Sequence, residues 1–412
     1  MSNYQKIKIE NFGPIISTGE RPLDIKRCTV FIGDQGTGKS TIVKLFSTLA
    51  WLEKAILAKR IYKTNLKFED IKSLFTMQNI PEEYFKKGSL IEYESNTLAI
   101  KIENLILSIK KKNGKDNDYC CPKIQYVPSE RNLLSIVDNL DKISGIPEML
   151  TQFNIEFQIA QKSIKNISFQ QFKFSYDKKS QSSFVEFKKT KSKVKLQQAS
   201  SGIQSIFPML YVSRFLSNNL KIDIFSKIKN MDNNRRNILM DNIHNEKDKS
   251  ILNDYILSGI ETNLSRININ GYLSDIYSIV NSCFIEVVEE PEQNLFPISQ
   301  VEVLKSIVED TNGENDKLIM TTHSPYILSQ INNYIFAKSQ NDLKNVSIKE
   351  IPSSLYVDYN DVSAYKIVDG YVNDIMDKEY GGIDVNEIDE CSRNITKVFD
   401  KLFTQYARDF RK

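Results

Sequence analysis

The chain has 412 residues, with 55 Lys and Arg against 52 Asp and Glu, so its formal net charge is +3; so weak a charge does not announce a nucleic-acid binder. With 41% apolar and 26% charged residues it reads as globular, with room for roughly two or three ordinary domains or one large domain with insertions. No stretch is apolar long enough to span a membrane, the opening Met1-Ser2-Asn3-Tyr4-Gln5-Lys6 lacks a signal-peptide core, and five cysteines without a C-x-x-C beside two histidines exclude a structural zinc site, so a cytoplasmic protein with reduced thiols is expected.

Residues 4–12 alternate like a strand, and Gly13-Pro14 breaks it. Residues 23–25 and 28–32 are further strands. Next comes Gly33-Asp34-Gln35-Gly36-Thr37-Gly38-Lys39-Ser40, which fits G-x-x-x-x-G-K-[ST] between an apolar strand and a helix that opens at Thr41 and runs to about residue 60. The glycines let backbone N–H groups wrap phosphates, and the helix start adds its positive end. Lys39 is placed to reach the β- and γ-phosphates, and Ser40 to bind Mg²⁺. A strand pair is expected at residues 89–93 and 98–109, then a polar loop over 110–118.

Residues 123–128 read as a buried strand ended by Pro128. Helical periodicity runs from 131 to about 167, broken at Gly145-Ile146-Pro147. Strand alternation returns at 172–176 and 184–187, flanked by Lys178, Lys179, Lys188, Lys189, Lys191, Lys193 and Lys195. A solvated hairpin accounts for such a cluster, and a DNA-facing surface is the alternative. Ala199-Ser200-Ser201-Gly202-Ile203-Gln204-Ser205 puts small residues at a helix start, a second place for phosphate, although an ordinary helix cap has the same composition. Residues 203–280 are mainly helical.

An apolar strand over 281–288 ends in Glu289-Glu290-Pro291. Beside a phosphate loop, Glu289 would hold the Mg²⁺ water shell and Glu290 would orient or deprotonate the attacking water. Glu286 interrupts the apolar run. A strand over 317–321 leads to His323, which could sense a γ-phosphate. His244, the other histidine, reads as exposed and structural. From about residue 335 the tail is expected to form short strands and then a helix ending near 411.

These four motifs, in this order, resemble the ABC-type ATPase heads, the superfamily of SMC, RecF and OLD-type proteins. Ile7-Lys8-Ile9-Glu10-Asn11-Phe12-Gly13-Pro14 is similar to the first strand of the RecF- and OLD-like branch. Ser200-Ser201-Gly202-Ile203-Gln204 resembles the family signature, with Ser201 where transporters have glycine. Glu289-Glu290-Pro291-Glu292-Gln293-Asn294-Leu295-Phe296-Pro297 resembles the E-E-P-E-x-x-L-x-P form of bacterial OLD-like and defence-system ATPases, and departs from the transporter form at Phe296. Tyr126-Val127-Pro128-Ser129-Glu130-Arg131 is similar to a segment near the lid of the same ATPases, and Gln125 is a weak candidate for their glutamine loop.

The resemblance implies an α/β fold: a P-loop NTPase of ABC-ATPase type, with a mixed sheet core, an antiparallel β subdomain and a helical lobe. It divides the chain into an N-terminal part of the head (1–130), a helical insertion with the lysine-rich hairpin (131–200), the signature helix, helical lobe and acidic strand (201–340), and closing strands and helix (341–412). ATP and Mg²⁺ are the implied cofactors. Two heads would pack head-to-tail, ATP lying on residues 33–41 of one chain and facing Ser200, Ser201, Gly202 and Gln204 of the other. No Toprim-like nuclease cluster follows His323; Asp358 and Asp361 lack an upstream catalytic Glu, and Arg236 and His244 make no convincing RNase pair. The expectation is therefore an ATPase that controls a separate effector, a nuclease or toxin, in bacterial anti-phage defence of the Septu, retron or PARIS kind. A RecF-like DNA-binding repair ATPase, and an ATP-binding scaffold without useful turnover, are the alternatives.

Overall fold

Residues 28–32 are buried at every position, not at every second one, the mark of a strand covered on both faces. They belong to β4 (Cys28–Gly33). The computed structural model describes residues 4–58, 61, 65–112, 119–137, 140–221, 233–242, 246, 249–250, 253, 281–344, 349–384 and 390–409. In chain order the remaining strands are β1 (Gln5–Phe12), β2 (Ile15–Ser17), β3 (Leu23–Asp24), β5 (Leu90–Ser95), β6 (Leu98–Glu103), β7 (Ile106–Lys111), β8 (Pro122–Val127), β9 (Asn166–Phe169), β10 (Phe172–Asp177), β11 (Ser182–Phe187), β12 (Lys193–Lys195), β13 (Cys283–Glu289), β14 (Lys317–Thr322), β15 (Val362–Val368), β16 (Tyr371–Asp374), β17 (Met376–Asp377) and β18 (Gly382–Ile383). The helices are α1 (Lys39–Leu57), α2 (Phe68–Met77), the single turn α3 (Leu133–Ile136), α4 (Glu148–Ser163), α5 (Ser201–Leu220), α6 (Asn233–Asn242), α7 (Pro297–Asp310), α8 (Pro325–Lys344) and α9 (Glu390–Asp409).

Among the described residues a twelve-stranded sheet runs β7-β6-β5-β1-β2-β16-β15-β4-β14-β13-β8, with β3 paired to β1. Its β15-β4-β14-β13-β8 part is parallel throughout. The β1, β2, β3, β5, β6 and β7 part is antiparallel. The two parts meet where β16 pairs with β2 at Tyr371 and Ser17. A separate four-stranded antiparallel sheet, β12-β11-β10-β9, carries the lysines. This is the expected mixed α/β fold with a phosphate loop at β4–α1 and an antiparallel subdomain.

The pleat sends alternate residues of the parallel strands into two cores. Phe31, Ile285, Val287 and Ile319 pack with Ile42, Phe46 and Leu49 of α1. Val30, Phe284, Val288 and Met320 pack with Phe207 and Tyr211 of α5, Ile307 of α7 and Ile331 of α8. Each of these buried side chains contributes roughly 1.5–3 kcal/mol. The same alternation puts Glu289 on the α1 face and Glu286 on the α5 face.

Three expectations need correction, and one helix had no expectation at all. Residues 98–109 are not one strand; Asn104 and Leu105 both take positive φ (51° and 65°) and fold the run into the β6–β7 hairpin. The helix expected to reach 167 stops at Ser163, and residues 166–169 pair as β9 with β10. Residue 335 lies inside α8 rather than opening a strand-rich tail, because Ile327, Ile331 and Ile335 repeat at helical spacing into the core. Helix α2 was not anticipated; it seats Phe68, Ile71 and Phe75 beside Phe85. Most of the helical lobe expected over 203–280, and His244, lie outside the described residues; α5 and α6 are its described part.

Candidate functional site

The phosphate loop leaves β4 at Gly33 and enters α1 at Lys39. Gly38 occupies the N-cap with φ 102°, a conformation only glycine adopts without strain, and a Cβ there would lie 2.5 Å from Ile15 Cδ1. Asp34, Gln35 and Gly36 are exposed at the loop crest, and Thr41 is half-buried one residue past Ser40. Thr37 Oγ1 donates to Asp34 O at 2.8 Å and tightens the turn. Lys39 folds back beneath the loop: its Nζ donates to Gly33 O (2.8 Å) and Asp34 O (2.7 Å). Burial lowers the Lys39 pKa, and Glu290, Asp34, Glu292 and Glu289 oppose that shift.

Ser40, next on α1, donates from Oγ to Glu289 Oε2 at 2.9 Å. The other carboxylate oxygen, Oε1, accepts a hydrogen bond from the Tyr126 hydroxyl on β8. Burial raises the Glu289 pKa; Lys44 and the Ser40 hydrogen bond pull it back. The end of β13 is thus pinned to the first turn of α1 on one side and to β8 on the other.

Glu290 follows with φ 43°, a turn that few non-glycine residues take. Its N–H donates to Thr321 O at 2.9 Å. Its side chain is about one-third exposed, and its Oε1 lies 3.7 Å from His323 Nε2. His323 is oriented in turn by Glu292, whose Oε1 accepts the His323 backbone N–H at 2.7 Å. Burial raises the Glu292 pKa.

Beneath both acids lies Arg131, with no exposed surface. Nη1 donates to Glu289 O (2.6 Å) and Pro128 O (3.1 Å), and Nη2 to Glu290 O (2.6 Å). Burial lowers its pKa to about 10, with Glu292, Glu290 and Glu130 opposing. A guanidinium has the fork geometry to hold two successive carbonyls at once. That grip offsets the strain of the turned Glu290 backbone, of order 1–3 kcal/mol.

The Ser200–Gln204 segment sits on the far side of the same turn. Ser200 is the N-cap of α5, and it and Ser201 are exposed. Gly202 packs so closely on the turn after Glu290 that a Cβ would lie 2.6 Å from Asn294 O. Gln204 points inward, donating to Gln197 O (2.9 Å) and Leu196 O (3.4 Å). Its side chain therefore holds the approach to α5 and is not presented at the surface.

Lys39, Ser40, Glu289, Glu290 and His323 are thus brought together from three parts of the chain. Tyr126, Arg131 and Glu292 were not assigned a role from sequence. Only the clustering of Tyr126-Val127-Pro128-Ser129-Glu130-Arg131 as a unit pointed toward the first two. Gln125 turns back on its own strand, donating to Tyr126 O at 2.8 Å. Asp358 caps a short turn by accepting from Asn360 N. The seven hairpin lysines are all exposed.

No protein-family model matches the chain, and no curated protein matches it. Among solved structures it is similar to the SMC head domain from Thermotoga maritima, with 10% identity and a TM-score of 0.37 over 92% of this chain and 100% of that one. It is similar to an SMC head bound to the C-winged helix domain of ScpA, with 9% identity and a TM-score of 0.37 over 91% of this chain and 98% of that one. It is also similar to an ATP-binding cassette in a dimeric post-hydrolysis state bound to ADP and Pi, with 11% identity and a TM-score of 0.29 over 90% of this chain and 99% of that one.

Proposed function

We propose that the protein is an ABC-type ATPase head that binds ATP with Mg²⁺, dimerises around it and hydrolyses it. The observation that carries this is the Ser40–Glu289 hydrogen bond of 2.9 Å, which joins the phosphate loop to the acidic strand end, with Glu290 and His323 at its edge. The donor set suits Mg²⁺: a hydroxyl and one buried carboxylate oxygen, both hard ligands. Among the described residues no group of three or more His, Cys, Asp or Glu could hold a metal; Mg²⁺ would take its remaining ligands from water and phosphate. When bound, Mg²⁺ would neutralise phosphate charge.

The chain's own residues divide the remaining work. Lys39 exchanges its two loop carbonyls for phosphate oxygens. Loop N–H groups of residues 34–38 wrap the phosphates. Glu290, held outward by its turned backbone, orients a water and takes its proton, while His323 faces the same space. Ser200 and Ser201, exposed at the start of α5, meet the nucleotide of a second chain, and Gly202 and Gln204 set where that helix begins. Residues 1–130, 131–200, 201–340 and 341–412 are the working divisions of this head.

The ATPase acts on a separate effector, a nuclease or toxin, in anti-phage defence; the E-E-P-E-x-x-L-x-P form of residues 289–297 supports this. A second reading, a DNA-binding repair ATPase, is favoured by one observation: the seven exposed lysines on one small sheet. Phosphate release measured against chain concentration tests the dimer. A per-chain rate that rises with concentration supports a site completed by two chains, and a flat rate overturns it. Salt-dependent DNA affinity lost on neutralising Lys188, Lys189, Lys191, Lys193 and Lys195 would favour the second reading over the first.

A further inference from the structure

The four-stranded sheet carries far more charge than the chain it belongs to. Residues 165–195 hold nine lysines and two acids, a net +7 within a chain whose total is +3. One face of this sheet is apolar and closed: Phe169, Phe174 and Val185 pack with Phe157 of α4 and Phe207 of α5. The pleat sends the alternate residues to the other face, and there every position is partly or fully exposed.

Strand register orders that outer face. Lys195 on β12 lies across from Phe184 on β11, Phe184 across from Ser175 on β10, and Ser175 across from Asn166 on β9. The row reads cation, aromatic ring, hydroxyl and carboxamide over three strand spacings, about 14 Å. A nucleotide presents matching groups in the same order: phosphate, then base, then the base's hydrogen-bonding edge. Phe184 is half-buried, and Lys193 Nζ rests 4.1 Å from its ring centroid.

The neighbouring row, Lys193, Glu186, Lys173 and Ser168, alternates in charge, and Glu186 is also 3.9 Å from Lys191 Nζ. Asp177 accepts from Lys179 N and Ser180 Oγ within its own turn. Both acids lie on the middle strands. The β12 edge, where Lys193 and Lys195 stand about 7 Å apart, is therefore the place for a phosphate backbone.

We propose that this face binds single-stranded nucleic acid. One base stacks on Phe184, its edge reaches Ser175 and Asn166, and the adjoining phosphates lie on Lys193 and Lys195. The base displaces the Lys193 ammonium from the ring, because base stacking outweighs an exposed cation–π contact. A duplex keeps its bases away from a flat sheet, so a ring in this position serves an unpaired strand. The proposal rests on the DNA-binding reading of these lysines, and adds the strand form and the residue that takes the base.

Fluorescence anisotropy with the full chain, without ATP, tests it. The probes are end-labelled oligothymidylate and oligouridylate of about 15 nucleotides, a duplex of the same length, and abasic strands with the same phosphates. At least one of the two single strands should bind about tenfold tighter than both the duplex and its own abasic form. Phe184→Leu should erase the preference over the abasic strand without changing the salt dependence, and Phe184→Tyr should retain it. Lys195→Gln should weaken every strand and lower the salt slope by about 0.7. Equal affinity for the abasic strand, a duplex that binds as tightly, an unaltered preference in Phe184→Leu, or equal competition by polyglutamate overturns the proposal and leaves the DNA-binding reading standing. If neither strand nor duplex binds, that reading falls as well.

Discussion

Ser40, in the first turn of α1, donates a 2.9 Å hydrogen bond to Glu289, a residue 249 positions later at the end of β13. The parallel pairing β4-β14-β13 makes this contact possible, because it brings the ends of β4 and β13 to the same edge of the sheet. Everything proposed for the chemistry depends on that juxtaposition.

Lys39→Ala removes the ammonium from beneath the loop. ATP affinity should fall roughly 100-fold, the loss of about two charge-assisted hydrogen bonds, as read by titration with a fluorescent ATP analogue. Folding stability should change little, because the Gly33 and Asp34 carbonyls that Lys39 now holds lie at a loop open to water.

Arg131→Met keeps the volume and loses the fork. The Glu289 and Glu290 carbonyls are then left without the donor they have now, which should lower unfolding free energy by about 2–4 kcal/mol in denaturant titration. Turnover should fall further than Glu292→Gln lowers it, because the backbone that aims Glu290 is released. Wild-type stability in Arg131→Met would contradict the assignment.

Glu286 gives a pH prediction. Buried in mid-strand among Ser213, Asp310 and Asp316, it has its pKa pushed by burial up to about 8. In the unfolded chain a glutamate ionises near pH 4.5, so the folded state binds the extra proton. The stability this contributes is complete below about pH 4.5 and is lost as pH rises to about 8, a span on the order of 3–5 kcal/mol. Glu286→Gln removes that slope. Between pH 6 and 8.5 the wild type should lose more thermal stability than the variant, and equal losses would show that Glu286 is ionised throughout.

The phosphate loop, the paired acids and His323 were legible because each is a local pattern whose meaning lies within about eight residues. Arg131 was not, since the Glu289 and Glu290 carbonyls it holds are 158 and 159 positions away and the lid-like segment at residues 126–131 gave it no separate role. Tyr126 and Glu292 share that difficulty. Gly202 shows a different gap: small residues at a helix start suggested phosphate, whereas its smallness is also required by the Asn294 carbonyl pressed against it. The β6–β7 turn was only half signalled: Asn104 is a common residue at positive φ, but Leu105 beside it, also at positive φ, carries none of the usual turn chemistry and continues the apolar pattern.

The central claim is hydrolysis driven by Glu290 at a site built on Lys39, Ser40 and Glu289. Phosphate release by the wild type and by Glu290→Gln, with ATP binding measured on the same samples, tests it most directly. The account predicts that the variant binds ATP as the wild type does, accumulates as an ATP-bound dimer and releases phosphate at least about 100-fold more slowly. Wild-type turnover in Glu290→Gln would contradict it.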